Sequence, residues 1–328
     1  MSAFILAGMF LLSCQPKKEL SPDDAIRELK VLDSDLTNFV SKGQEHPSVI
    51  GLKFLISQAT SPLSTTFGMP AALLKDSLRS LENWNGTYTW NKDSLKFFKS
   101  APGKEVSIIF PLNGAGENDA RLVISRYSSQ PSMSARCFPA ELLGILEYKG
   151  KEIMKMEYKC QFKDNWPSKI NCEISGDGFE GFCHMERRRI GNDGSIIIRF
   201  DFSAEGKTIL EGRIKSHIGY NENHIFTKTV EPHINLFDLN IHGSLDYSKI
   251  DPTGSDYINS FNSNCHIVFR DKRNRKIIGE FGLGKDKTGD LLEWVLKLSD
   301  GSEASLYEYI LIFKKIMDYK YPNKAQSR

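Results

Sequence analysis

The sequence has no apolar run near the roughly 20 residues that a bilayer-spanning helix needs; its longest, Ala3 to Leu12, is about half that length. A transmembrane anchor is therefore not expected. Charge of one sign is also scarce: 43 basic against 41 acidic side chains leave a formal net charge of +2, too little for a nucleic-acid partner to be expected. No repeat at solenoid or propeller periods and no low-complexity tract interrupts the chain.

The frames that carry common chemistries are missing as well. There is no GxSxG elbow, HExxH pair, CxxC pair or recognisable pair of acids. Gly279-Glu280-Phe281-Gly282-Leu283-Gly284-Lys285 imitates a P-loop, but Asp286 stands where the magnesium-binding hydroxyl belongs, and the segment reads as lying between strands. Asn85-Gly86-Thr87 fits a glycosylation sequon and is better read as a turn entering a strand. No enzyme activity and no cofactor is expected, with a triad scattered through the sequence the one catalytic alternative.

What the chain does have begins at its first residues. The apolar run ends at Leu11-Leu12-Ser13-Cys14, and polarity starts at once with Gln15-Pro16-Lys17-Lys18. A short apolar segment closed by a small residue suits a secretory signal. These residues resemble the lipobox of a bacterial lipoprotein signal, although Met1-Ser2-Ala3 lacks the basic side chain usual ahead of the apolar run. The resemblance makes residues 1–14 the lipoprotein signal and implies removal of the peptide before the cysteine, acylation of Cys14 with palmitate among its chains, and membrane attachment through lipid. Gln15, rather than Asp, after the cysteine implies the outer membrane, with the periplasmic or cell-surface face left open. One acyl chain holds reversibly at about 0.8 kcal/mol per buried methylene, and three would hold permanently.

Behind the signal, residues 15–84 are expected to form a short tether and N-terminal helices. Ser21-Pro22-Asp23-Asp24 supplies a hydroxyl cap, a proline in the first turn and two acids at the positive helix end. Ala25, Leu29, Leu32, Leu36 and Phe39 follow at helical spacing, and Gly43 can end the helix. Val49 to Ile56 fits helix or strand, while Pro70 to Trp84 reads as helix.

From Asn85 the period changes to two, and residues 85–300 are expected to be an antiparallel β region. Turn signals at Lys149-Gly150, Asn165 to Ser168, Gly176 to Gly178, Gly191 to Gly194, Glu205-Gly206 and Asn221 to Asn223 fall about 14 residues apart. That spacing describes long strands in an up-and-down meander. Met154, Met156, Tyr158, Cys160 and Phe162 alternate with Lys155, Glu157, Lys159 and Gln161, giving one apolar and one wet face. The fold class expected is α+β, mainly antiparallel β, as a strongly curved sheet or open barrel. N-terminal helices and a C-terminal helix within residues 301–328, striped by Leu306, Ile310, Phe313 and Met317, would cover it.

Beyond Cys14 the thiols are Cys137, Cys160, Cys172, Cys183 and Cys265. Reflecting strands about their turns sets Cys160 opposite Cys172 and Cys172 opposite Cys183. A disulfide through Cys172 and a zinc site are the sharper readings; small buried hydrophobes is the favoured one. His217, His224, His233 and His242 cluster in sequence, with His217 near His224 across a hairpin and surface positions as the default. Arg270-Asp271-Lys272-Arg273-Asn274-Arg275-Lys276 reads as a basic hairpin tip, a solvated turn that could touch anionic headgroups.

As a whole the chain resembles lipoproteins of Gram-negative envelopes, with helices first, the aromatic entry Trp84-Asn85-Gly86-Thr87-Tyr88-Thr89-Trp90 next, and a long β region after it. The expected function is a non-catalytic binding module for an apolar ligand or an envelope partner protein. A structural accessory of an outer-membrane complex is the alternative, and a hydrolase without a recognisable motif ranks third.

Overall fold

A computed structural model describes residues 19–60, 84–131, 137–164, 166–221, 224–251, 256–286, 288–289 and 292–310. The architecture is α+β and mainly antiparallel β, with a long up-and-down meander, as the strand periodicity implies. The chain divides into two compact units. One holds the residues up to Asn38, Ser216–Gly219 and those from His224 onward; the other holds Phe39–Lys215 and Tyr220–Asn223. Among the described residues, no helix is long and apolar enough to cross a membrane.

The first helix, α1 (Pro22–Glu45), starts as its sequence dictates. The Ser21 Oγ accepts from the Asp24 backbone N–H at 3.3 Å, and Asp23 and Asp24 sit in the positively polarised first turn. Its stripe Ala25, Leu29, Leu32 and Leu36 is buried in the first unit, where each leucine contributes roughly 2 kcal/mol. Gly43 does not stop the helix, which runs two residues further before His46 bends the chain.

In that first unit the stripe meets β12 (Leu239–His242), β14 (Val268–Asp271), β15 (Ile277–Lys285) and β16 (Leu292–Lys297). Phe261, on the short helix α3 (Tyr257–Ser263), fills the same core. The P-loop imitation lies wholly within β15, so it opens no helix. Within residues 301–328, where a C-terminal helix is expected, β17 (Glu303–Ser305) pairs with β16 before a single turn, α4 (Leu306–Tyr309). Leu306 and Ile310 are buried as their stripe requires, and Phe313 and Met317 lie outside the described residues.

The second unit carries the meander. Val49 to Ile56 resolves as part of a helix, α2 (Pro47–Thr60); most of Pro70 to Trp84 lies outside the described residues. β1 (Gly86–Asn91) pairs antiparallel with β2 (Lys96–Ala101) and parallel with β3 (Val106–Phe110). From β3 each strand pairs antiparallel with the next: β4 (Ala120–Pro131), β5 (Cys137–Tyr148), β6 (Lys151–Lys163), β7 (Trp166–Gly176), β8 (Phe179–Ile190), β9 (Asp193–Ala204) and β10 (Lys207–Asn221). Two of the turns show why they fix the register. Lys149-Gly150 and Glu205-Gly206 have φ of 50° and 78°, and 51° and 72°, the double left-handed conformation whose twist matches paired strands.

The packed core of this unit sits at one end of the sheet. Phe54 of α2 stacks on Phe110 at 5.5 Å and meets the Trp90 ring edge-on at 5.2 Å. Gly51 lets α2 approach closely, because an added Cβ would lie 3.0 Å from Leu112 Cδ1. Leu55, Leu146, Ile153 and Met154 complete the cluster, with Ile174 and Phe179 at its margin.

Candidate ligand-binding face

Beyond that core the meander continues as a ladder of paired side chains. Register sets Leu142, Tyr158, Cys172, Cys183 and Phe200 in one row. Cys160, Ile170, Met185 and Ile198 form the next on the same face. Between these rows and the core run Met156, Ile174, Gly181 and Phe202. Side chains on strands alternate between faces, so the opposite face carries Lys155, Glu157, Lys159, Glu173, Glu180 and Arg199.

An apolar face of this length calls for cover, and among the described residues the two hydrophobic cores leave part of it half-buried. The hydrophobic cores omit Tyr158, Cys172, Cys183, Met185, Ile198 and Phe200. Of these, Cys183 is exposed and the rest are half-buried, whereas Cys160 is buried at the centre of its row. A half-buried apolar surface of this extent is a candidate interaction surface.

Both ends of the face are closed by specific contacts. At the core end, Phe39 meets the Phe202 ring edge-on at 5.9 Å, His46 meets Phe179 at 5.3 Å, and His46 Nε2 lies 2.9 Å from the Asp177 carbonyl oxygen. At the far end stands Arg187, buried although charged. It donates from Nε to the Pro167 carbonyl at 2.9 Å, from Nη2 to that of Lys163 at 2.7 Å, and from Nη1 to the Tyr220 hydroxyl at 2.9 Å. These acceptors share out the charge without a carboxylate.

The electrostatics of the face oppose nucleophilic chemistry. Burial pushes up the thiols of Cys160, Cys172 and Cys183; the Tyr158 hydrogen bond offsets part of the rise at Cys160, and neighbouring Cys183 and Glu173 add to it at Cys172. They stay protonated at neutral pH, and a thiol is a poor nucleophile. Tyr158 is likewise raised, by burial first and then by Cys160 and Cys172.

The sequence-derived candidates scatter. Cys14 lies outside the described residues, as does the side chain of Cys137 at the start of β5. Cys172 and Cys183 are direct partners as expected, but Cys160 is opposite Ile170, not Cys172. The reason is local: Lys163 pairs with Trp166, which sets the β6–β7 connection ahead of the turn expected at Asn165 to Ser168, and the register shifts between Gln161 and Phe162. Cys265 is buried in the other unit.

The histidines do not converge either. His217 lies 3.5 Å from Glu231, while His233 of β11 (His224–Leu236) is opposite His242 with ring centroids 6.4 Å apart. Among the described residues no three His, Cys, Asp or Glu side chains gather as for a metal ion. In the basic stretch, Arg273 is already committed to Glu28, Asp271 and Asp238. Arg187 was missed by sequence reading, since nothing in Glu186-Arg187-Arg188-Arg189 marks one arginine as buried. No family model, curated protein or solved structure matches the chain.

Proposed function

We propose that this chain is a lipid-anchored envelope lipoprotein that acts as a non-catalytic binding module, receiving an apolar ligand along the meander face. The observation that carries the reading is the row Tyr158, Cys172, Cys183 and Phe200, apolar, left outside the hydrophobic cores and bounded at both ends. Open apolar surface of this kind stabilises a complex by about 25 cal/mol for each Å² that a ligand covers. The protonated thiols favour binding over catalysis.

The anchor belongs to the same reading. Leu11-Leu12-Ser13-Cys14 directs acylation to Cys14, and Gln15 favours the outer membrane. From there residues 15–18 span about 14 Å at most before Glu19 pairs with Ile277 and Leu20 enters the core, holding the body within reach of lipid. The test has two arms. Radiolabelled palmitate should enter the wild type and not Cys14→Ser; native mass spectrometry of gently extracted protein should show an apolar adduct released by detergent. Equal labelling of both proteins would remove the anchor, and protein free of any adduct and unable to bind an added fatty acid would remove the ligand.

A further inference from the structure

We propose that Cys172 and Cys183 are the two halves of a cross-strand disulfide, a modification site in the middle of the open face. The inference starts from the turn between β7 and β8. Gly176 is paired with Phe179 across Asp177-Gly178, and Gly178 has φ of 83°, so the hairpin closes on two residues and its register has no freedom to slip. Counting back along an unbroken ladder places Cys172 directly opposite Cys183. The pair lies four residues from the closing pair on each strand and is therefore of the hydrogen-bonded kind, with Cα atoms about 5.5 Å apart, inside the span of about 4.4–6.8 Å that disulfides need; the Cβ atoms, about 4.5–5.5 Å apart, must draw in toward the roughly 3.5–4.5 Å of a disulfide. Both side chains point to the same face, because opposed residues always do.

The third thiol is placed differently. Cys160 is diagonal to Cys172, a separation of about 7–8 Å between Cα atoms, beyond disulfide reach. It is buried, and its Sγ lies 3.7 Å from the Gln161 carbonyl oxygen. Cys183 is exposed and Cys172 half-buried, so an oxidant reaches this pair from solvent. Both are free thiols in the structure.

The reaction is thiol–disulfide exchange with a small-molecule or protein disulfide as oxidant. The small ionised fraction of one thiol attacks that disulfide and expels a thiol, slowly because burial keeps most of it protonated; the second cysteine attacks the mixed disulfide and expels the other thiol, so two electrons and two protons pass to the oxidant. The oxidising compartment this requires rests on the envelope location proposed above. The bond would staple the hairpin where no core holds it and would reduce the polarity of the face at its centre.

The test uses the purified full chain equilibrated with oxidised and reduced glutathione, quenched in acid, unfolded and alkylated. Trypsin yields both cysteines on one peptide, Ile170 to Arg187. The expected result is that peptide unalkylated and two hydrogen atoms lighter, restored to full alkylation by reductant, with Cys160 and Cys265 alkylated throughout. Cys183→Ser should abolish the mass loss. Full alkylation of Cys172 and Cys183 under oxidising buffer, or a bond from Cys172 to Cys160, would overturn the proposal. Neither outcome depends on where the protein resides, so failure here is distinct from failure of the location, which palmitate labelling reads.

Discussion

Replacing Arg187 by Met keeps an unbranched stem of similar reach and deletes the guanidinium that ties the β6–β7 turn to β8 and Tyr220. A hydrogen bond to a charged group is worth about 1.5–3 kcal/mol, and three are lost. Two effects oppose the sum. The buried charge no longer has to be desolvated, which returns several kcal/mol, and the freed carbonyls at the turn regain water. The net local loss is therefore about 2–3 kcal/mol, or about 30- to 150-fold in the population of the opened turn at tenfold per 1.4 kcal/mol.

Trypsin reads that population directly. Lys163 is an exposed side chain on a backbone held closed by Arg187, and cleavage through local opening tracks the open fraction. Cleavage after Lys163 should accelerate by that factor, while cleavage after Lys207, at the unrelated β9–β10 turn, should not change. Arg187→Lys should fall between, since one ammonium cannot span two carbonyls and a hydroxyl. If Arg187→Met were cleaved at Lys163 within twofold of the wild type, the clamp would have no energetic role.

Two further outcomes concern the first unit. His242 is held below the usual histidine range by burial, then by Arg270 and His233, and its Nδ1 is buried without a hydrogen-bond partner. A lowered folded-state pKa means the unfolded chain takes the proton first, so stability falls as pH drops below about 6.5. Urea midpoints measured from pH 7 to pH 5 should decline more steeply for the wild type than for His242→Phe; parallel slopes would refute the assignment. Burial raises the Asp271 carboxyl, but Arg273 and the hairpin N–H groups outweigh it and hold the group below its usual range. Its contribution is present above pH 3.8 and lost as pH falls through the lower folded value, so Asp271→Asn should lose about 1–3 kcal/mol at pH 7 by chemical denaturation and progressively less as pH falls below 3.8. A loss independent of pH would show that packing rather than charge is at stake.

The meander was legible because its signals are local. Two-residue turns such as Lys149-Gly150 and the alternation from Met154 to Phe162 each determine a strand without reference to the rest of the chain. What escaped reading depended on distant residues. β2 (Lys-Phe-Phe-Lys-Ser-Ala) has almost no burial alternation, and the parallel β1–β3 pairing has no local mark at all. The opposition of Cys172 and Cys183 was readable from a turn with fixed length, whereas Cys160 was misplaced by a register shift that sequence does not announce. Arg187 shows the limit most clearly, since its burial is set by two carbonyls and a tyrosine hydroxyl far along the chain.

The central claim is that the face carrying Phe200 takes an apolar molecule and the face carrying Glu180 does not. A photo-crosslinking benzoylphenylalanine placed at each position in turn, in the full chain in its own membrane, measures this directly. The expected result is a lipid or other apolar adduct from Phe200 after illumination and none from Glu180. Adducts equal at the two positions, or absent at Phe200, would contradict the account.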